Sequence, residues 1–176
     1  MSVNDLVKHK NDKIKAIFGL TIAEMVVDDL KSDQPGYLLA KEALQLSWEW
    51  IEKENVSGDT LSEYVDSDTE KNLGIRELYY DDDNMVSAII VVTLAIGLVA
   101  HYAYESENNN SRPTPIWEID EESLYDIVKF ASNTTFYNTE KADQIIEFLI
   151  KNENKLTSEK ILALQSKNTK VKVLKP

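Results

Sequence analysis

The chain has no cysteine, and only two histidines, five glycines and four prolines among its 176 residues. Without cysteine it forms no disulfide, no thiolate zinc site and no cysteine nucleophile. His9 and His101 are too few for a three-histidine zinc site and lie far apart in the chain. The scarcity of glycine and proline argues against an all-β fold with many tight turns and favours long helices.

Catalytic motifs are missing as well. The sequence contains no HExxH, Walker, GxGxxG or GxSxG pattern. His101 paired with Glu105 is a candidate buried base, but a histidine near a helix end more often satisfies the core or the helix terminus. Asp66 to Glu77 partly imitates a calcium loop, yet Lys71 stands where that loop needs glycine. We therefore predict a protein that is not an enzyme and has no catalytic residue, cofactor or metal site.

The longest apolar stretch runs from Met85 to Tyr104 and contains no Asp, Glu, Lys or Arg. As a helix it is roughly 30 Å long, enough to cross a small domain or a bilayer. The flanking residues are acidic, with Asp81, Asp82 and Asp83 before it and Glu105 and Glu107 after it. Because neither flank carries the Lys or Arg that orients a membrane segment, we predict the central helix of a bundle. A membrane-spanning helix is the alternative.

Apolar periodicity predicts an all-α fold, a single-domain bundle of about 6–8 helices around a central apolar helix near 84–105. The domain is expected to span 1–165, followed by a basic C-terminal tail, 166–176, that forms a short edge strand or is mobile. The other helices are expected at about 11–30, 36–54, 60–65, 73–80, 120–132, 138–151 and 157–165. In the 73–80 helix, Leu78, Tyr79 and Tyr80 are expected to supply a side to bury. No signal peptide is recognisable, which predicts a cytoplasmic protein.

Two tryptophans of the second helix, Trp48 and Trp50, lie about 200° apart on a helical wheel. One face of the helix therefore cannot bury both. Core on both sides is the favoured interpretation, and a binding surface that includes Trp50 is the alternative.

Charge is the strongest functional signal, since the net charge is −12. Residues 151–176 carry a net +5, so residues 1–150 carry −17. An excess of this size predicts that the protein repels nucleic acid and anionic membranes and attracts a basic partner. Solubility alone is the plainer explanation of the same charge.

A diffuse pattern in the first half of the chain has a family likeness. Leu20-Thr21-Ile22-Ala23-Glu24 is followed by Ala43-Leu44, Trp48-Glu49-Trp50-Ile51 and Leu61-Ser62-Glu63-Tyr64-Val65-Asp66. The pattern resembles the small, acidic, all-helical immunity proteins of bacterial polymorphic and contact-dependent toxin systems, in particular immunity protein family six. The resemblance implies a protein that binds and neutralises a cognate toxin domain, many of which are nucleases with basic clefts.

Residues 52–83 hold eleven acidic and three basic residues, the densest such stretch in the chain. We predict that carboxylates of this stretch form the partner-binding surface, together with the nearby aromatic residue Trp50. The predicted surface residues are Glu63, Asp66, Asp68, Glu70, Asp81, Asp82, Asp83 and Trp50. Glu118, Asp120, Glu121 and Glu122 form a second candidate surface. An acidic helical adaptor, or a nucleic-acid mimic that inhibits a host enzyme, is the alternative function. The sequence does not indicate the oligomeric state.

Overall fold

The computed structural model describes residues 1–165, apart from the side chains of Ser158, Leu162 and Gln165. Within that range the regular secondary structure is all helical, without a strand. Its α-helices are α1 (Val3–Val7), α2 (Asp12–Val26), α3 (Gln34–Lys53), α4 (Gly58–Ser62), α5 (Asp83–Ser106), α6 (Thr114–Trp117), α7 (Ser123–Ala131), α8 (Thr139–Asn152) and α9 (Ser158–Gln165). Three 3₁₀ helices lie between them: η1 (Val27–Ser32), η2 (Gly74–Tyr79) and η3 (Glu153–Lys155).

The predicted all-α fold is confirmed. The number of helices exceeds the prediction because the described chain includes very short helices, such as α1 and α6, that are too brief to show apolar periodicity. The predicted tail, residues 166–176, lies outside the described residues. The boundary between domain and tail stays a prediction.

Helix α5 is the centre of the bundle. It contacts α2, α3, α4, α6 and α7 as well as η1 and η2. By length and apolarity it is the one helix in the described range that could cross a membrane, with a mean hydropathy of 2.2. In this structure, 72% of its most apolar stretch is buried inside the protein, as expected of a core helix.

Glycines on α2 and α5 let the neighbouring parts of the core pack closely against these helices. A Cβ on Gly19 of α2 would lie 3.8 Å from the Ala95 Cβ and 3.8 Å from the Leu98 Cδ2. Further along α5, Ile119 fills the space beside Gly97, where a Cβ would meet its Cδ1 at 2.4 Å. An alanine at Gly97 would therefore force Ile119 to move, since core side chains leave no spare volume.

Both tryptophans of α3 are in the core, with Trp48 3% and Trp50 6% exposed. This confirms the expectation of core on both sides of the helix. Helix α3 packs against α2, η1, α4 and α5. Because Trp50 is covered, it is not available as an aromatic contact for a partner, and we remove it from the candidate surface.

The N-caps of α8 and α4 show one helix start that the sequence predicts correctly and one that it does not. Asn138 caps α8 as expected, accepting a hydrogen bond from the Lys141 N–H at 2.8 Å. In the sequence, Thr60 and Glu63 have the spacing of a capping box and predict a helix that starts at Thr60. That prediction is wrong. Ser57 caps α4 instead, its hydroxyl accepting from the Thr60 N–H at 3.1 Å.

Candidate functional site

Two acidic segments flank the central helix. The connector, residues 63–83, leads from α4 to the N-terminus of α5 and includes η2. The exit segment, residues 107–122, leads from the C-terminus of α5 to α7 and includes α6. These two segments contain the two candidate surfaces of the sequence.

The connector begins with a tight turn closed by side chains. The Ser67 hydroxyl donates to the Glu63 carbonyl at 2.8 Å, and the Asn72 amide donates to the Ser67 carbonyl at 2.8 Å. Lys71 pairs with the Glu63 carboxylate at 2.9 Å, and its ammonium lies 5.4 Å from the centre of the Tyr64 ring. Short polar side chains that bond to nearby backbone favour such a turn over a helix.

The middle of the connector is held against the bundle at Leu73 and Gly74. Leu73 is fully buried, and its N–H donates to the Tyr64 carbonyl at 2.9 Å. A Cβ on Gly74 would lie 2.8 Å from the Val65 carbonyl oxygen, so only glycine permits this close approach of two backbone segments. The start of η2 is thereby fixed in place.

The end of the connector is fixed by Asp33, the N-cap of α3. Its carboxylate accepts from Arg76 at 2.9 Å, from the Tyr80 hydroxyl at 2.7 Å and from the Gly36 N–H at 3.2 Å. Burial alone would raise the pKa of Asp33, but the bonds from Tyr80 and Gly36 and the charge of Arg76 outweigh it and lower the pKa. Burial, followed by the bond to Asp33, raises the pKa of the Tyr80 hydroxyl.

Between these two anchors, η2 displays apolar side chains to solvent. Ile75 is 45%, Leu78 75% and Tyr79 71% exposed. In a 3₁₀ helix, side chains three residues apart eclipse one another, which puts Ile75 and Leu78 on the same line. The prediction that Leu78 and Tyr79 are buried is therefore wrong, whereas Tyr80 is half-buried as expected of a packed residue. We call Ile75, Leu78 and Tyr79 the apolar ridge.

All seven predicted carboxylates are exposed: Glu63, Asp66, Asp68, Glu70, Asp81, Asp82 and Asp83. Asp82 caps α5, accepting from the backbone N–H groups of Asn84 and Met85 at 2.8 and 3.1 Å. Apart from Asp82 and the Glu63 that Lys71 neutralises, these carboxylates make no side-chain hydrogen bond or ion pair with any described residue. Their charge is therefore available to a partner.

The carboxylates form two groups rather than one. A Cβ on Gly74 would lie 3.9 Å from Thr93 Cγ2, and Thr93 is roughly 15 Å along α5 from Asp83. The group at 63–70 thus lies near the start of η2, and the group at 81–83 follows its end. The apolar ridge, with the exposed Glu77, lies between them. Among residues 1–165, no three His, Asp or Glu side chains are placed to hold a metal ion.

The exit segment is built around Arg112, whose side chain is only 7% exposed. Its guanidinium lies 4.0 Å from the centre of the Trp117 ring and 3.1 Å from His101 Nδ1. Because a guanidinium only donates, Nδ1 accepts and the ring proton lies on Nε2, 3.3 Å from the Glu105 carboxylate. His101 is thus bonded on both sides and closes the end of α5.

The second acidic group belongs to the same segment. Asp120 turns the chain into α7, accepting from the Glu122 N–H at 2.8 Å. Glu118 and Glu122 are exposed, whereas Asp120 and Glu121 are partly buried. Trp117 is 52% exposed, but the Arg112 guanidinium covers one of its faces.

Comparison of the sequence with models of known protein families identifies the family of this chain. Residues 14–134 match the model of immunity protein Imm6, which covers more than half of the chain. The chain belongs to the Imm6 family of immunity proteins. The matched range contains α5, the whole connector and the exit segment. No curated protein and no solved structure matches the chain.

Membership of the Imm6 family confirms the resemblance to immunity family six and indicates a protein that acts against a toxin. Sequence reasoning did not find the apolar ridge as a surface feature. One signal for it was present, since Leu78 and Tyr79 stand between Glu77 and three aspartates. A segment flanked so closely by charge is hard to bury, because removing an unpaired carboxylate from water costs several kcal/mol.

Proposed function

We propose that this Imm6 protein binds a cognate bacterial toxin domain and neutralises it through the acidic connector. The observation that carries the proposal is the exposed, unpaired charge of the connector in a chain of an immunity family. A toxin with a basic cleft, as a nuclease has, is the partner that best complements such a surface. We expect the complex to form in the cytoplasm of the cell that the protein protects.

The exposed charge of the connector supports a role in association with the toxin. Unpaired carboxylates at Asp66, Asp68 and Glu70 are not desolvated or neutralised by described neighbours, so their field extends into solvent. Complementary fields of this kind raise the association rate and select the partner, and salt screens them over about 10 Å at 0.1 M ionic strength. The protein acts by occupying the toxin rather than by catalysis.

The first experiment identifies the partner. The full-length protein, with an affinity tag, is purified at low salt from the bacterium that encodes it, and retained proteins are identified. We expect a single toxin domain that is released as salt is raised. Retention of a housekeeping enzyme instead would favour the adaptor or nucleic-acid-mimic function.

The second experiment locates the interface. The variant Asp66→Lys, Asp68→Lys, Glu70→Lys is compared with Glu118→Lys, Glu121→Lys, Glu122→Lys, which reverses three charges on the exit segment. We expect the connector variant to slow association with the purified toxin domain about tenfold or more at low salt and to flatten its salt dependence. The exit variant should change the rate by less. Unchanged affinity of the connector variant at low salt contradicts the proposal.

A further inference from the structure

We infer that the apolar ridge contributes most of the binding energy between this protein and the toxin domain. The ridge inserts into an apolar recess on the toxin domain, and Lys and Arg side chains border that recess. The inference rests on the proposed function and adds the chemistry of the partner. It starts from an unusual exposure, since burying an apolar side chain of this size stabilises a protein. The ridge leaves Ile75, Leu78 and Tyr79 largely in water.

The exposure of the ridge is not a sign of a loose segment. Leu73 anchors one end of η2 in the core, and Arg76 and Tyr80 anchor the other to Asp33. The backbone between these anchors has little freedom left to lose on binding. A contact that is already in its bound conformation avoids part of the entropy cost of association.

The composition of the ridge suits a binding contact. Tyrosine is enriched among the residues that dominate binding energies, because it buries a large apolar area and offers a hydroxyl for hydrogen bonding. The eclipsed pair Ile75 and Leu78 adds an aliphatic edge. With about 2 Å of rise per residue, η2 spans roughly 10 Å, so the partner needs a recess of similar length.

Charge around the ridge excludes several occupants. A second copy of this chain would bring the same acidic groups, 63–70 and 81–83, against themselves, and each copy carries a net −12. Like charges placed together at an interface disfavour association. Nucleic acid and anionic membranes are repelled for the same reason. A protein with an apolar recess and a cationic border satisfies both the ridge and its flanks.

The area of a stable interface requires both the apolar ridge and the acidic groups beside it. A stable interface buries about 800 Å² per partner, more than three side chains supply. The acidic groups on either side of η2 extend the contact and form a polar rim, while the ridge forms its dry centre. Binding energy concentrates at such a centre, and the rim mainly sets the association rate.

The test separates the contribution of the apolar ridge from that of the acidic groups by measuring the association and dissociation rates of the complex. The toxin domain recovered by co-purification is used in a catalytically inactive form, and binding of the full-length chain is followed by surface plasmon resonance. We expect Leu78→Ala with Tyr79→Ala to weaken binding about 100-fold, mainly through faster dissociation, with the association rate nearly unchanged. Reversal of Asp66, Asp68 and Glu70 should act mainly on association.

Trp117→Ala is the matched control, because Trp117 is also an aromatic residue exposed by about half but lies on the exit segment. It should leave the affinity within about twofold of wild type. The free energy of unfolding of the ridge variant, measured in urea, should equal that of wild type, which excludes misfolding as the cause of weaker binding.

Each result decides between the proposals. If wild type binds the toxin domain and the ridge variant binds equally well, the ridge inference is wrong and the proposed function survives. If wild type retains no toxin domain, both are wrong. If wild type instead forms a dimer in sedimentation that the ridge substitutions dissolve, the ridge belongs to a self-association surface and the inference is overturned.

Discussion

The two ends of α5 both lie beside carboxylates, but the helix dipole favours them at one end and disfavours them at the other. Its N-terminus carries a partial positive charge, and the aspartates at 81–83 are favourable there. Its C-terminus carries a partial negative charge, yet Glu105 and Glu107 follow at that end. The structure offsets them locally, with His101 and Arg112 beside Glu105, and with the Gly58 N–H donating to Glu107 at 2.9 Å.

The comparison shows which exposed side chains at each end are covered by neighbours. At the exit end, the carboxylate of Glu105 and the Trp117 ring are engaged by Arg112. At the connector end, Asp82 caps the helix and Lys71 pairs with Glu63, but the other carboxylates and the apolar ridge stay uncovered. Acidic density alone made the two segments look alike in sequence. The structure keeps that likeness, because the Glu118, Glu121 and Glu122 carboxylates bond to no described residue either. The two segments differ in the cover of their apolar side chains, since Arg112 stacks on Trp117 whereas the apolar ridge is exposed.

The largest expected effect comes from the anchor of the connector. Leu73→Ala leaves a cavity at a fully buried site, so we expect the free energy of unfolding to fall by about 2–5 kcal/mol. Leu78→Ala is the matched control, since the same side chain five residues on is 75% exposed and its loss should cost within about 0.5 kcal/mol. Urea denaturation measures both. Equal losses would show that the ridge is packed and would remove the contrast between the two leucines.

A smaller effect, with a pH signature, is expected at the other anchor. Asp33→Asn keeps a capping side chain but loses the charge that pairs with Arg76, so we expect a loss of about 1–2 kcal/mol near neutral pH. The pKa of Asp33 is lowered in the folded protein, so its contribution is present above the ordinary value of 3.8 and is lost as pH falls through the lowered pKa.

The difference between wild type and Asp33→Asn should therefore shrink below about pH 4. Denaturation at several pH values measures it, with Asp81→Asn as the control, because Asp81 is exposed and bonds to no described side chain. A difference that stays constant down to acid pH would mean that the ion pair with Arg76 does not stabilise the connector.

The main helices could be predicted because their signals are local. A charge-free run defines α5, and Asn138 caps α8 by a bond within one turn. Resemblance in residues of α2, α3 and α4 also sufficed for the family. The total of acidic residues was equally visible in sequence, which is why the seven exposed carboxylates could be named.

The site itself depends on contacts between distant residues. The anchors of η2 join Asp33 to Arg76 and Tyr80, and the cover of Trp117 comes from a loop arginine. No period or motif encodes these pairings. Leu78 and Tyr79 were therefore expected to be buried together with Tyr80, and Trp50 looked like a possible surface residue although it is only 6% exposed. Exposure is set by tertiary packing, which a local pattern does not contain.

The smallest expected effect sharpens the comparison at the exit end. Arg112→Lys keeps the positive charge near Glu105 but replaces a planar guanidinium, which stacks on Trp117, with a compact ammonium that does not. We expect the free energy of unfolding to fall by about 0.5–1 kcal/mol. Acrylamide quenching of tryptophan fluorescence should increase, because Trp48 and Trp50 are buried and Trp117 is the accessible ring.

Trp117→Phe tests whether the quenched fluorescence comes from Trp117. It should remove most of the quenching from both the wild-type protein and the Arg112→Lys variant. Uncovering Trp117 makes the exit end resemble the connector in one respect, an exposed aromatic ring beside carboxylates. If Arg112→Lys raises quenching without changing toxin affinity, an exposed aromatic and nearby acid are not enough for binding, and the anchored ridge of η2 is the feature that matters. A gain in affinity would instead place part of the toxin contact at the exit end.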